Sequence, residues 1–121
     1  MTKILLVEDN EMNRDMLTRR LERKGYDVVC AVDGPQGIEM ARSCKPDIIL
    51  MDVALGEMDG WEATTLIRDN PQTKHIPIIA LTAHALESDR RKSVEVGCVD
   101  FETKPVSLGE LIEKIERHAA Y

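Results

Sequence analysis

Four apolar runs without alternation constrain the fold of this chain more than any other feature. Ile4-Leu5-Leu6-Val7, Val28-Val29-Cys30-Ala31-Val32, Ile48-Ile49-Leu50-Met51 and Ile78-Ile79-Ala80-Leu81 are each four or five residues long. A strand with one face in water alternates apolar and polar residues. A run with no alternation fits a strand covered on both faces, as in a parallel sheet. Stretches of helical period separate these runs. Residues 11–24 carry Met12, Met16, Leu17 and Leu21, with Gly25 where a C-terminal cap belongs. Residues 107–119 carry Leu108, Leu111, Ile112, Ile115 and Ala119, opened by Ser107 and Glu110 as a capping-box pair. Residues 35–44, 60–70 and 85–96 fill the remaining gaps. A fifth strand is expected at 98–103, where Asp100 and Glu102 alternate with Val99 and Phe101, the pattern of an edge strand. The expected class is therefore α/β, with five strands alternating with five helices and helices on both faces of a parallel sheet. Right-handed crossovers leave few strand orders. The flavodoxin-like order 2-1-3-4-5 is the expected one, although periodicity alone leaves a competing order open.

Length and charge bound the function. A chain of 121 residues supports one core, so a single domain over 1–121 is expected. The net charge of −6 gives no source for sequence-independent attraction to nucleic acid. No apolar run reaches the roughly 18 to 20 residues needed to cross a bilayer, so no membrane partner is expected. The start Met1-Thr2-Lys3-Ile4 runs directly into the first apolar segment and has no small-residue cleavage site. Cys30, Cys44 and Cys98 are odd in number and none stands in a CxxC pair. That argues against a disulfide framework or a zinc site and points to a reducing, cytoplasmic setting.

Ligands of open α/β sheets bind beyond the carboxyl ends of the strands, near the point where strand order reverses. The residues that end each run therefore matter most. The first run ends in Glu8-Asp9-Asn10, the third in Asp52, the fourth in Thr82-Ala83 and the fifth in Lys104-Pro105. In the order 2-1-3-4-5 these groups converge on one edge. Three carboxylates held close together repel unless a cation sits among them. With only hard oxygen donors present, Mg²⁺ is the natural occupant, with Mn²⁺ as an alternative. A carboxylate beside the metal can act as nucleophile toward a phosphoryl group. A lysine and a hydroxyl opposite it would pair with the transferred oxygens. Each residue also has a plain reading: Asp9 or Asn10 as an N-cap, Asp52 as a turn residue, Thr82 as a cap, and Lys104-Pro105 as a stop before the last helix. Their joint placement at the strand ends favours the chemical one.

At these residues the chain resembles the receiver domain of two-component response regulators along nearly its whole length. The resemblance rests on Val7-Glu8-Asp9-Asn10, Met51-Asp52 with Met58-Asp59-Gly60, Leu81-Thr82-Ala83 and Lys104-Pro105, in that order. The Glu-Asp-Asn opening and His75-Ile76-Pro77 before the fourth strand look most like single-domain DivK-type regulators or receivers attached to hybrid kinases. The resemblance implies that Asp52 is the phosphoacceptor, and that Glu8, Asp9 and the backbone carbonyl of Ala54 hold Mg²⁺ with it. It further implies that Lys104 contacts the phosphoryl group through a chain with a cis bond to Pro105, that Thr82 is the switch hydroxyl, and that Phe101 is the switch aromatic. Read without the resemblance, Phe101 is half-buried packing on an edge strand, and its ring lacks a hydroxyl.

The sequence departs from the receiver pattern in places. Gly56 stands where many receivers have proline, which implies a freer loop after the acceptor. Ala54 and His84 occupy variable positions that affect water's access to the phosphoryl group; His84 reads as a solvated surface histidine. The expected function is a phosphorylation-controlled switch, self-phosphorylating and not otherwise an enzyme. Its phosphodonor would be a sensor histidine kinase or a histidine phosphotransfer protein. Its output would be a protein contact on the face of helix 85–96, strand 98–103 and helix 107–119. The chain ends at Tyr121 with no DNA-binding segment, so a transcription factor is not expected; a receiver excised from a larger protein is the alternative. An FMN carrier of the same fold would need a Ser/Thr-rich phosphate loop where Glu8-Asp9 stands. A haloacid-dehalogenase-type phosphatase would carry a second acid where Ala54 stands.

Overall fold

Each apolar run forms a strand because it has two helical layers to bury against. In a computed structural model, described here for residues 2–83 and 87–119, β1 (Lys3–Val7), β2 (Asp27–Ala31), β3 (Ile48–Asp52), β4 (Ile78–Thr82) and β5 (Asp100–Thr103) alternate with five helices. The helices are α1 (Glu11–Arg23), α2 (Gly34–Cys44), α3 (Gly60–Asp69), α4 (Glu87–Val96) and α5 (Leu108–His118). The strands form one sheet of order β2-β1-β3-β4-β5, and every pairing is parallel. The expected class and order are both found.

Side chains alternate between the two faces of the sheet, and both faces are covered. Leu5, Val7, Ile49, Met51, Ile78 and Ala80 pack with Ala41 of α2 and with Ala63 and Ile67 of α3. Ile4, Leu6, Ile48, Leu50, Ile79 and Leu81 pack with Leu17 and Leu21 of α1 and with Leu111 and Ile115 of α5. The central strands β3 and β4 are buried throughout, which is why their runs show no alternation.

Element boundaries follow local chemistry. The side chains of Asn10, Asp33 and Asp59 each accept a backbone N–H in the first turn of α1, α2 and α3. Gly25, at φ 94°, takes the left-handed conformation that ends α1. The capping box expected at Ser107 and Glu110 does not form. Ser107 is the N-cap of α5, but its exposed side chain makes no capping hydrogen bond. The second strand runs 27–31, not 28–32; Val32 lies beyond the ladder, 44% exposed. The fifth strand begins at Asp100; Cys98 closes the turn out of α4 by donating its amide to the Ser93 carbonyl, and the Val99 amide reaches across to the Ile78 carbonyl of β4 just before the ladder starts. Its alternation is also the reverse of an ordinary amphipathic strand: Glu102 is buried and Phe101 is only partly so. The described part of the expected helix 85–96 begins at Glu87, and His84 lies outside the described residues.

Candidate active site

In a parallel sheet all carboxyl ends lie along one edge, and the ladder register determines which ones are neighbours. Val7 pairs with Met51, Asp52 with Leu81, and Thr82 with Thr103. The residues that end or follow β1, β3, β4 and β5, namely Glu8, Asp52, Thr82 and Lys104, are therefore brought to adjacent positions. The Lys104 amide also donates to the carbonyl of Thr82 at 2.7 Å, tying the end of β5 to that of β4. The bond from Lys104 to Pro105 is cis, as the resemblance implied.

At the centre lies a three-membered ion cluster. The Nζ of Lys104 donates to Oε1 of Glu8 at 3.0 Å and to Oδ2 of Asp52 at 3.0 Å. Glu8 and Asp52 are 3% and 2% exposed, so neither carboxylate has bulk water as an alternative partner. Asp9 is exposed beside them, and one oxygen from each of Glu8, Asp9 and Asp52 falls within 4.8 Å of the others. One lysine does not neutralise three carboxylates at this spacing. Burial pushes the Glu8 carboxyl up to about 7; Asp52 adds to the rise and Lys104 opposes it. Burial works against the charged Lys104 ammonium, but its bonds to Asp52 and Glu8 outweigh that and hold its pKa above the ordinary lysine value. A clustered set of hard oxygen donors, one of them open to solvent, fits a hydrated divalent cation such as Mg²⁺.

The backbone around the cluster is fixed from several directions. The Glu8 amide donates to the Ala31 carbonyl at 3.0 Å, and the amide of Asn10 donates to Oε2 of Glu8 at 3.3 Å. The Ala54 amide donates to Oδ1 of Asp52 at 3.0 Å, placing Ala54 directly over the carboxylate. Thr82 is buried at the end of β4. The Phe101 ring is half-buried, with the Arg90 guanidinium 4.7 Å and the Lys114 ammonium 5.5 Å from its centroid. It is therefore held by cations as well as by packing. All of the residues singled out from the sequence except His84 are thus placed, and Phe101 lies on β5 toward α4 and α5.

Two contributors could not be assigned a role from the sequence. Arg14 is half-buried in α1, and its Nη1 donates to the Glu8 carbonyl at 2.9 Å, clamping the turn that carries Glu8 and Asp9. Its position six residues after Glu8 is the only signal in the sequence. Gly60 closes the loop after β3: its amide donates to the Val53 carbonyl at 3.1 Å. A β-carbon there would lie 2.3 Å from the Asp52 carbonyl oxygen and 2.7 Å from the Val53 Cα. The Gly in Met58-Asp59-Gly60 is thus required by its close approach to the backbone of Asp52 and Val53.

Comparisons with known proteins show the family and the fold. Residues 4–116 match the family described as the response regulator receiver domain. The chain is 36% identical over 115 residues to the polar-differentiation response regulator DivK of Brucella anthropi, covering 95% of this chain and 94% of that protein. Among solved structures it is similar to the receiver domain of sensor histidine kinase PA1611 from Pseudomonas aeruginosa PAO1, which has a magnesium ion coordinated in its active site cleft. That similarity has a TM-score of 0.89 at 39% identity, covering 97% of this chain and 96% of that one. It is also similar to the Saccharomyces cerevisiae receiver domain of Ssk1, crystallised with the histidine phosphotransfer protein Ypd1. There the TM-score is 0.90 at 30% identity, with 98% of this chain and 88% of that chain covered.

Proposed function

The chain belongs to the response regulator receiver domain family, and on that premise we propose that Asp52 is its phosphoacceptor. It is a receiver domain of two-component response regulators. The reading of its site rests above all on one observation: Lys104 bridges Glu8 and Asp52 inside a cluster of three carboxylates.

In the proposed reaction a carboxylate oxygen of Asp52 attacks the phosphorus of a phosphohistidine in line with the departing imidazole. The O–P bond forms as the P–N bond breaks, and the electron pair leaves with the imidazole nitrogen. Glu8, Asp9, Asp52 and the carbonyl of Ala54 would hold Mg²⁺, or Mn²⁺ in its place. The bound ion supplies charge neutralisation at the phosphoryl oxygens. Lys104 is already within hydrogen-bond distance of Asp52 and exchanges that carboxylate for a phosphoryl oxygen. The buried Thr82 hydroxyl takes another. Phe101 and α4 then adjust, because a new dianionic group at the ends of β3 and β4 changes which side-chain positions are favourable.

The proposed donor is a sensor histidine kinase or a histidine phosphotransfer protein, and the proposed output is a protein contact on the face of α4, β5 and α5. The chain acts on its own aspartate and turns over no separate substrate. The three unpaired thiols suit a reducing cytoplasm; among the described residues no helix is long and apolar enough to cross a membrane.

Intact-mass measurement after incubation with acetyl phosphate and Mg²⁺ tests the assignment. The wild type should gain one phosphoryl group and Asp52→Asn none. Full labelling of Asp52→Asn would show that the acceptor is another residue. Steady hydrolysis of phosphate monoesters would favour the phosphatase reading instead.

A further inference from the structure

The three carboxylates of the cluster are not held alike. Asp52 accepts from the Ala54 amide and from the Lys104 ammonium, each at 3.0 Å. Glu8 accepts from Lys104 at 3.0 Å and from the Asn10 amide at 3.3 Å, and both of these acids are buried. Asp9 is exposed, and among the described residues no hydrogen bond or ion pair reaches its carboxylate. One of its oxygens nevertheless lies within 4.8 Å of an oxygen on each of the other two acids. With no bond on the side chain itself, its place is set by the backbone that carries it.

That backbone is held by Arg14. The Glu8 carbonyl oxygen belongs to the planar peptide unit that also contains the nitrogen and Cα of Asp9. Nη1 of Arg14 donates to this oxygen at 2.9 Å. The arginine is anchored at its own backbone too. Its amide donates to the Asn10 carbonyl at 2.9 Å, and the Asn10 side chain caps the same helix through the Asn13 amide. On the other side, the Glu8 amide is fixed to the Ala31 carbonyl at the end of β2. The peptide between Glu8 and Asp9 is therefore gripped from β2 and from α1, and only the φ and χ angles of Asp9 remain to move its carboxylate. Arg14 is half-buried and, among the described residues, forms no ion pair. Its guanidinium serves a carbonyl and not an acid.

We infer that Arg14 is a positioning residue for the divalent cation: by fixing the Glu8–Asp9 peptide it keeps the Asp9 carboxylate beside those of Glu8 and Asp52. The inference rests on the reading of the cluster as a cation site. Mg²⁺ demands near-ideal octahedral geometry with oxygens at about 2.0–2.1 Å, so a ligand free to wander costs affinity. Groups that orient a metal ligand typically contribute about 10–100-fold to affinity. Charge works in the opposite direction. A guanidinium near a divalent cation repels it, so removing Arg14 would tighten binding if its charge alone mattered. The sign of the change therefore separates the two roles.

The test measures the Mg²⁺ affinity of the full chain from the rise in melting temperature with Mg²⁺ concentration. Arg14→Met should weaken binding by roughly tenfold. Arg14→Lys keeps the charge and one long-armed donor, and should fall between Arg14→Met and the wild type. In an Asp9→Ala background, adding Arg14→Met should change affinity by less than about twofold, because the ligand that Arg14 positions is gone. The Mg²⁺ concentration that gives half-maximal labelling by acetyl phosphate should rise in Arg14→Met by the same factor as the dissociation constant. Tighter binding in Arg14→Met would overturn the proposal, as would a tenfold loss that persists without Asp9. So would a labelling rate that falls at saturating Mg²⁺ while affinity is unchanged, the result of a guanidinium that meets the phosphoryl group instead. A wild type that binds Mg²⁺ no better than Arg14→Met removes the positioning role alone. A wild type that does not bind Mg²⁺ at all removes the cation reading beneath it.

Discussion

Gly60 shows how tightly single residues are tied to Asp52, the proposed acceptor. A methyl group there meets backbone atoms of Asp52 and Val53, which cannot give way without moving the Asp52 carboxylate. Gly60→Ala should therefore cost about 1–3 kcal/mol by chemical denaturation and slow labelling by acetyl phosphate. An equally stable and equally reactive variant would mean that the loop adjusts freely. Lys104 is the cation that joins two buried carboxylates. Lys104→Met should destabilise the metal-free protein by about 3 kcal/mol at neutral pH, with much of the loss recovered on adding Mg²⁺. The Glu8 carboxyl, raised to about 7 chiefly by burial, faces Asp9, Asp52 and the Lys104 ammonium. Because the folded chain holds this proton more tightly than the unfolded one, the stabilisation it brings is fully present below the ordinary glutamate value. That stabilisation is lost as pH rises through about 7. Lys104, whose pKa is raised, stays charged throughout this range. The melting temperature of the metal-free wild type should thus carry a component that declines toward neutral pH, and Glu8→Gln should lack it. The residue types of the site were legible in the sequence because they end apolar runs. The roles of Arg14 and Gly60 were not, because one depends on a side chain reaching back across a turn and the other on two backbone segments meeting.

The helices differ in how firmly they are held. α5 buries Leu111 and Ile115 in the core, whereas α4 buries only Ser93 and leaves Val94 74% exposed. An element with little apolar surface to lose opens at low free energy. Amides of α4 should therefore exchange with deuterium well before those of α5, and protection of equal strength in both would contradict this. Leu111→Ala should cost about 2–5 kcal/mol in thermal or denaturant unfolding, the range for a buried leucine in a close-packed interior. β5 is the element that pattern alone described least well. Glu102 is buried there because Lys114 donates to its Oε1 at 3.1 Å and to the Phe101 carbonyl at 2.7 Å. An acid that finds a cation on the neighbouring helix can face inward, and no alternation rule anticipates that. Ser107 is the converse case, with the residue types of a capping box present but the side-chain bond absent.

For the molecule as a whole, metal binding and stability are expected to be linked. A cation that relieves repulsion among Glu8, Asp9 and Asp52 binds the folded chain and not the unfolded one. At ten times its dissociation constant, Mg²⁺ should then add about 1.4 kcal/mol, read as a rise in melting temperature. Asp9→Ala/Asp52→Ala should abolish the rise, and a wild type insensitive to Mg²⁺ would count against the cluster as a cation site. The sequence by itself determined the class of fold, the positions of the strands to within a residue or two, and the polar residues that end or follow four of them. Those features follow from local periodicity and from the need to bury both faces of a parallel sheet. Only the tertiary structure decided which strand ends are neighbours, that one lysine bridges two buried carboxylates, and that a glycine eight residues past Asp52 approaches its backbone. Such contacts join segments up to 96 positions apart, and their energies depend on burial and distance, which no local pattern records.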